Sequence, residues 1–189
     1  MIELPDLYAN IDYILIDQDK LHERTLELAQ QIEADYQDVD NLLMVCVLKG
    51  GFMFLADLTR AVKRAHELDF MGVSSYADRT ESSGAVQIIM DLKQPVEGKH
   101  LLIVEDIIDS GHTLNYLRRL LLARSPASLK ICSLLNKPSR REVDVPVDYI
   151  GFDIPDEFVV GYGLDFAELY RNLPFVAVLK PSVFAHLSS

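Results

Sequence analysis

The chain has 189 residues, 49% of them hydrophobic, and a formal net charge of -11. That length bounds it to one domain with at most a small appendage, and the apolar fraction suffices for a real core, which excludes a disordered or fibrous chain. The acidic balance argues against broad binding to a nucleic-acid backbone, yet leaves room for a small polyphosphate held by local amides, a few cations and a metal ion.

Residues 18–35 read as a helix, with Leu21, Thr25, Leu28 and Ile32 on one face and Asp17 or Asp19 available to cap it. LLMVCVL, 42–48, is continuously apolar, as a strand buried on both faces should be. KGG follows at 49–51, and then Leu55, Leu58, Val62 and Ala65 fall at helical spacing, so this is a strand, a glycine turn and a helix. Strands are predicted near 68–76 and at 86–90, with the polar ADRTESSG loop, 77–84, between them as a tip or lid. A strand over 100–105 runs into an acidic turn, and Leu114, Leu117 and Leu121 mark the helix after it. LKICSLL, 129–135, is a further strand; 148–165 alternates strand-like pieces with IPDEF; a last strand is expected at 175–179. Strands alternating with helices, and no internal repeat, point to an α/β fold with a parallel sheet.

Cys46 and Cys132 each lie inside an apolar run, the pattern of buried free thiols in a reducing compartment. The opening MIELPDLYAN has no basic segment leading an apolar one, and no apolar run approaches a membrane span. The expectation is a cytoplasmic protein without a membrane partner. His22, His66, His100, His112 and His186 do not cluster at ligand spacing, so no zinc site is expected.

The most informative stretch is LLIVEDIIDSGHTL, 101–114. Open parallel sheets bind ligands beyond the carboxyl ends of their strands. Adjacent carboxylates there, Glu105 and Asp106, suit the vicinal hydroxyls of a ribose. Asp109, Ser110, Gly111, His112 and Thr113 then open a helix, whose first N–H groups and dipole favour an anion; Gly111 lets the backbone approach, and Ser110 and Thr113 add hydroxyls. A diol site beside a phosphate site is the pattern of a ribose 5-phosphate. The plain alternative is a helix cap at Asp109 or Ser110 and a solvated Glu-Asp strand end.

VEDIIDSGHT resembles the 5-phosphoribosyl-1-pyrophosphate (PRPP) motif of the type I phosphoribosyltransferases, and several motifs from about 42 to 180 follow in that family's order, most of all in its purine-salvage branch acting on hypoxanthine and guanine. The resemblance implies an α/β fold with a twisted, mainly parallel sheet flanked by helices, in a single domain over 1–189. It places a core at about 40–145 and a hood from 1–20 and 146–189. It implies that Glu105 and Asp106 contact the ribose hydroxyls, that 109–113 hold the 5-phosphate, and that Asp109 is the general base facing purine N7. VLKGG, 47–51, resembles the pyrophosphate loop, placing Lys49 and Gly50 in that subsite after a peptide bond that in relatives is often cis. SSYADRTESSG, 74–84, resembles the loop that closes the site, with Ser75 and Tyr76 reaching the pyrophosphate.

LLNKPSRR, 134–141, places Lys137 at the purine 6-oxo group. A lysine only donates, which suits the oxygen of hypoxanthine or guanine and mismatches the amino group of adenine. PDEFVVGYGLDF, 155–166, places Phe158 stacked on the base, Val159 contacting it through its backbone, and Asp165 on a magnesium ion, with Glu105 and Asp106 as further metal ligands and Arg171 near the pyrophosphate. The plain alternatives are a surface lysine, core packing for Phe158 and Val159, and a solvated turn at Asp165. His112 stands where several relatives have lysine, making the loop's charge pH-dependent.

The implied activity is magnesium-dependent transfer of the phosphoribosyl group from PRPP to a 6-oxopurine, in a homodimer or homotetramer that binds no nucleic acid. Xanthine as the base, or a PRPP-sensing regulator that binds nucleic acid, are the rivals. The regulator would need a basic patch, and the arginine pairs 118–119 and 140–141 read more simply as solvated positions.

Overall fold

The computed structural model describes residues 7–75 and 86–185. In chain order the strands are β1 (Ile11–Ile16), β2 (Leu42–Leu48), β3 (Glu67–Ser75), β4 (Val86–Met90), β5 (His100–Ile108), β6 (Ser128–Asn136), β7 (Tyr149–Asp153), β8 (Val159–Val160) and β9 (Val176–Leu179). The helices are α1 (Gln18–Asp35), α2 (Phe52–Ala61), α3 (His112–Leu122) and the single turn α4 (Pro181–Phe184). Six strands form one sheet in the order β4-β3-β2-β5-β6-β7, and three form a smaller one in the order β1-β9-β8.

The continuous apolar run of β2 lies at the centre of the large sheet because it is buried on both faces. Leu42, Met44 and Cys46 join the core under α1 and α2, while Leu43, Val45 and Val47 join the core under α3. This is the two-residue alternation of a strand. β5 divides the same way, with Leu102 and Val104 on one side and Leu101 and Ile103 on the other. Helical spacing supplies the covers: Leu21, Leu28 and Ile32 of α1 and Phe54 and Leu58 of α2 on one face, Leu114, Leu117 and Leu121 of α3 on the other. Burying each such side chain contributes about 1.5–3 kcal/mol. Of the two candidate caps for α1, Asp17 is the one used, accepting the Lys20 N–H at 2.9 Å. The two cysteines are free and buried. Burial pushes the Cys46 thiol up to about 12 and the Cys132 thiol higher than its ordinary value too.

β2, β3, β5, β6 and β7 run parallel, and β4 lies antiparallel on β3 at the edge. In the small sheet β1 and β8 both pair antiparallel with β9, so the N-terminal segment is tied to the C-terminal one. Two boundaries differ from the sequence reading. β7 lies within 146–189, the stretch expected in the hood, but it extends the large sheet by pairing with β6 from Cys132↔Tyr149 to Asn136↔Asp153. β5 does not stop at Glu105; it continues to Ile108, held by β6 through Ile107↔Leu135 and Ile108↔Asn136. On its other side β5 pairs with β2 only as far as Cys46↔Val104. The last four residues of β5 are therefore unpaired on their β2 side, an overhang in pairing that carries Glu105 and Asp106.

Candidate active site

The chain leaves β2 through Lys49, Gly50 and Gly51, with the Leu48–Lys49 peptide cis. Gly50 lies against the β5 overhang: a Cβ there would sit 1.4 Å from Asp106 Oδ2. Only a glycine leaves the Asp106 carboxylate room. A third segment closes on the same point. Gly163, at φ +104, packs so near that a Cβ would meet the Gly50 carbonyl oxygen at 2.1 Å. Its N–H donates to Arg171 O at 3.0 Å, and Arg171 Nη1 donates back to Gly163 O at 2.8 Å. Arg171 Nη2 pairs with Asp165 Oδ1 at 2.7 Å, and Lys49 Nζ donates to Glu168 Oε2 at 2.9 Å. Lys49, Gly50, Asp106, Asp165 and Arg171, read separately from the sequence, thus form one group.

Asp106 and Glu105 are half-buried with little to stabilise their charge. Burial pushes Asp106 up to about 6, against the Ile107 N–H that its Oδ1 accepts at 2.8 Å and the nearby Arg171 charge. Glu105 is raised well above the usual carboxylate range by burial and by its Asp106 neighbour. Its Oε2 is buried without a hydrogen-bond partner among the described residues. A buried acceptor without a donor is costly, so this oxygen is available to a ligand hydroxyl or a cation.

Beyond the overhang, Asp109, Ser110 and Gly111 turn into α3, which begins at His112 and Thr113. Gly111 has φ +90, and a Cβ on it would lie 2.7 Å from Val143 O, so both conformation and space demand glycine. Ser110 O accepts the N–H groups of Glu142 and Val143, each at 3.0 Å, which fixes the turn. No side chain caps α3, so its first N–H groups face outward from a well-held turn. His112 Nε2 and Glu142 Oε2 lie 2.9 Å apart at the surface.

A cleft of about 670 Å³ opens beside this turn, with Asp109, Lys137, Phe158 and Val159 all in its wall. Lys137 is no surface lysine: it is 8% exposed, its N–H donates to Ile108 O at 2.9 Å, and its Nζ donates to Glu157 O at 2.7 Å. Phe158 keeps 37% of its surface exposed, with Phe166 edge-on at 5.5 Å and Phe184 stacked at 5.0 Å between ring centroids. Val159 is buried and pairs with Val178 in the small sheet. The small sheet is thus what holds this wall of the cleft against the β5 turn. Ser75 ends β3; Tyr76 and the 77–84 loop lie outside the described residues.

Several partners were missed in the sequence. Arg140 Nε lies 3.2 Å from Asp109 Oδ1, and Arg141 Nη2 donates to Asn136 Oδ1 at 2.5 Å. That pair had read as solvated; both its members are engaged, because the 3-10 turn over Pro138–Arg140 brings them back onto the sheet end. Glu168, Gly163, Phe184 and Tyr13, which bonds Glu157 across the cleft, carried no local signal. Gly163 is the exception in part, since a glycine in GYG signals a special backbone or a close approach.

Among the described residues no group of three or more His, Cys, Asp and Glu side chains is close enough to hold a metal. Asp165 lies close enough to Asp106 to raise its carboxyl by charge repulsion, so the donors on offer here are carboxylate oxygens. Magnesium takes such ligands one or two at a time, completing its shell with water and substrate phosphates.

A family model described as phosphoribosyl transferase domain matches residues 17–167. The chain belongs to the phosphoribosyltransferase family. A hypoxanthine-guanine phosphoribosyltransferase of Bacillus subtilis (strain 168) is 50% identical over 175 residues, covering 93% of this chain and 97% of that one. A hypoxanthine phosphoribosyltransferase of Escherichia coli (strain K12) is 51% identical over 164 residues, covering 86% and 92%. The crystal structure of a hypoxanthine phosphoribosyltransferase from Staphylococcus aureus superposes with a TM-score of 0.90 at 44% identity, over 96% of this chain and 98% of that chain. The mixed sheet flanked by helices is accordingly the type I phosphoribosyltransferase fold, and the chain is a phosphoribosyl-transferring enzyme of purine salvage, of the hypoxanthine(-guanine) kind. No described helix is long and apolar enough to cross a membrane.

The raised Asp106 value has a testable consequence for stability. Between the ordinary carboxylate range and about pH 6 the folded chain holds a proton on Asp106 that the unfolded chain has lost, so stability falls as pH rises through this window. Asp106→Asn removes the penalty. Thermal or urea unfolding without ligand should show the variant more stable than the parent by about 2–3 kcal/mol above pH 6 and little changed at the acid end.

Proposed function

We propose that this enzyme transfers the 5-phosphoribosyl group of PRPP, with magnesium, to N9 of hypoxanthine or guanine, giving IMP or GMP and pyrophosphate. The observation that carries this reading is the buried Lys137 amine in one cleft wall with Asp109 and Phe158. A buried lysine offers only donors and is costly to leave unpaired, so the cleft favours a base with an oxygen at that position. Adenine would set its amino group against the ammonium, donor facing donor, so that neither the amino group nor the ammonium hydrogens not given to Glu157 O find an acceptor there. A missing hydrogen-bond partner of this kind supports strong discrimination.

Phe158 presents an aromatic face to a flat base, and Asp109 stands where the base meets the β5 turn. In this reading the sugar lies over the overhang, its hydroxyls on Glu105 and Asp106, and its 5-phosphate on the 109–113 turn at the start of α3. Lys49, Gly50 and Arg171 face the pyrophosphate, where two cations stabilise the charge that develops on departure. Magnesium, when bound, would neutralise pyrophosphate further, held by one or two carboxylates at a time, with Asp165, Glu105 and Asp106 as the candidates. As C–O cleavage leads bond formation, the ribose carbon becomes cationic, and carboxylates beside it are well placed. Asp109 must exchange Arg140 for the purine N7 proton, which it holds while N9 attacks the anomeric carbon. The family resemblance gives Ser75 and Tyr76 a further part on the pyrophosphate side, where a closed loop would keep water from the cation. The regulator reading gains nothing from the arginines at 140 and 141, both engaged within the site.

Two measurements test the assignment. Asp109→Asn should lose about 10²–10⁴-fold in turnover while retaining PRPP affinity, since it removes a positioned proton acceptor and no phosphate contact. Undiminished turnover would remove Asp109 from that role. The second assay supplies hypoxanthine, guanine, xanthine, adenine and uracil in turn with PRPP and magnesium. The parent enzyme should turn over the first two and neither of the last two. Lys137→Ala should narrow the gap between hypoxanthine and adenine by at least about tenfold, the lower range for a lost buried partner. An unchanged gap would mean that another group reads the 6-position.

A further inference from the structure

Lys49 and Arg171 are not waiting empty-handed. One carboxylate oxygen, Glu168 Oε2, lies 2.9 Å from Lys49 Nζ and 3.5 Å from Arg171 Nη2. It therefore sits between the two cations that the reading above gives to pyrophosphate. Its loop aims it there. Ala167, Glu168 and Tyr170 all have positive φ, at 52°, 64° and 75°, a backbone that non-glycine residues adopt only when held. The Glu168 N–H donates to Asp165 Oδ2 at 2.9 Å, and Phe166 and Leu169 exchange backbone bonds around the turn at 3.2 and 3.0 Å.

We propose that Glu168 is a displaceable carboxylate ligand of the pyrophosphate cations, holding Lys49 and Arg171 in the unloaded site and releasing them to the pyrophosphate group. This rests on the assignment of Lys49 and Arg171 to the pyrophosphate subsite. Glu168 differs from Asp165 in the same network. The Asp165–Arg171 contact, at 2.7 Å, has side chains 30% and 19% exposed, whereas Lys49 and Glu168 are 64% and 65% exposed. An exposed ion pair is weak and readily exchanged. A multiply charged pyrophosphate replaces one carboxylate with several oxygens and more charge, so it wins the cations; the carboxylate nevertheless competes at every binding event. Glu168 thereby holds the two cations toward one point without ligand, and limits how tightly the product is retained.

The test is calorimetric binding of pyrophosphate with magnesium to the intact enzyme and to three variants, with KM for hypoxanthine measured alongside. Glu168→Gln keeps the shape and removes the charge. It and Glu168→Ala should bind pyrophosphate about two- to fivefold tighter, the range an exposed ion pair allows, with the difference shrinking at high salt and KM for hypoxanthine unchanged. Lys49→Ala should weaken pyrophosphate binding. If Lys49→Ala weakens binding but the Glu168 variants bind no tighter, or bind more weakly, the proposal is wrong while the subsite assignment stands. If Lys49→Ala leaves binding unchanged, the assignment itself fails and the proposal falls with it.

Discussion

The contact between Gly50 and Asp106 is the constraint on which the site depends. β5 stops pairing with β2 after Val104, so its last residues lose a hydrogen-bonded neighbour on one side and keep one on the other. The chain leaving β2 must turn beneath that overhang, and it does so with the Asp106 carboxylate seated where a side chain at residue 50 would otherwise be. Gly163 then packs on Gly50 from the far side and brings Asp165 and Arg171 with it. Three segments distant in sequence are thus fixed relative to one another through two glycines. The same overhang leads directly into the Asp109–Gly111 turn, so the Lys49–Arg171 group and the cleft walled by Lys137 and Phe158 share one strand as their rigid reference.

An acidic chain that is to bind polyanions needs its few cations placed, and the network places them. Lys49, Arg140 and Arg171 are each paired with a carboxylate at or beside the site: Glu168, Asp109 and Asp165 respectively. These pairs orient the cations and cost little to exchange where they are exposed. Glu105 and Asp106 have the opposite character. They are held in a poorly solvated position that favours their protonated forms. Ligand hydroxyls or a bound cation would supply the stabilisation these carboxylates lack, which couples binding of the sugar to their ionisation.

Much of this was legible because it is local. The apolar run of β2, the helical spacing of α1 and the glycines of KGG and DSGHT announce their structure within a few residues. The end of β5 was misplaced because charge usually marks a strand's exit, whereas here Ile107 and Ile108 resume the pairing with β6 after the acidic pair. The hood over 146–189 came from the family resemblance, and only the register of YIGFD with β6 assigns β7 to the large sheet. The β1–β9 pairing joins opposite ends of the chain, which no window of sequence contains. Site residues that belong to a motif were found together, as Asp109, Lys137, Phe158 and Val159 were in one cleft. Their partners Arg140 and Glu168 were not, since an ion pair across two loops depends on backbone turns that composition does not encode.

The most direct test is a crystal structure with PRPP, magnesium and a purine analogue that cannot accept the ribosyl group. The account predicts the ribose hydroxyls on Glu105 and Asp106, the 5-phosphate on the 109–113 turn, the pyrophosphate on Lys49 and Arg171, and the base between Lys137 and Phe158. A sugar bound away from the β5 overhang, or a base outside the cleft that Asp109 and Lys137 share, would contradict it.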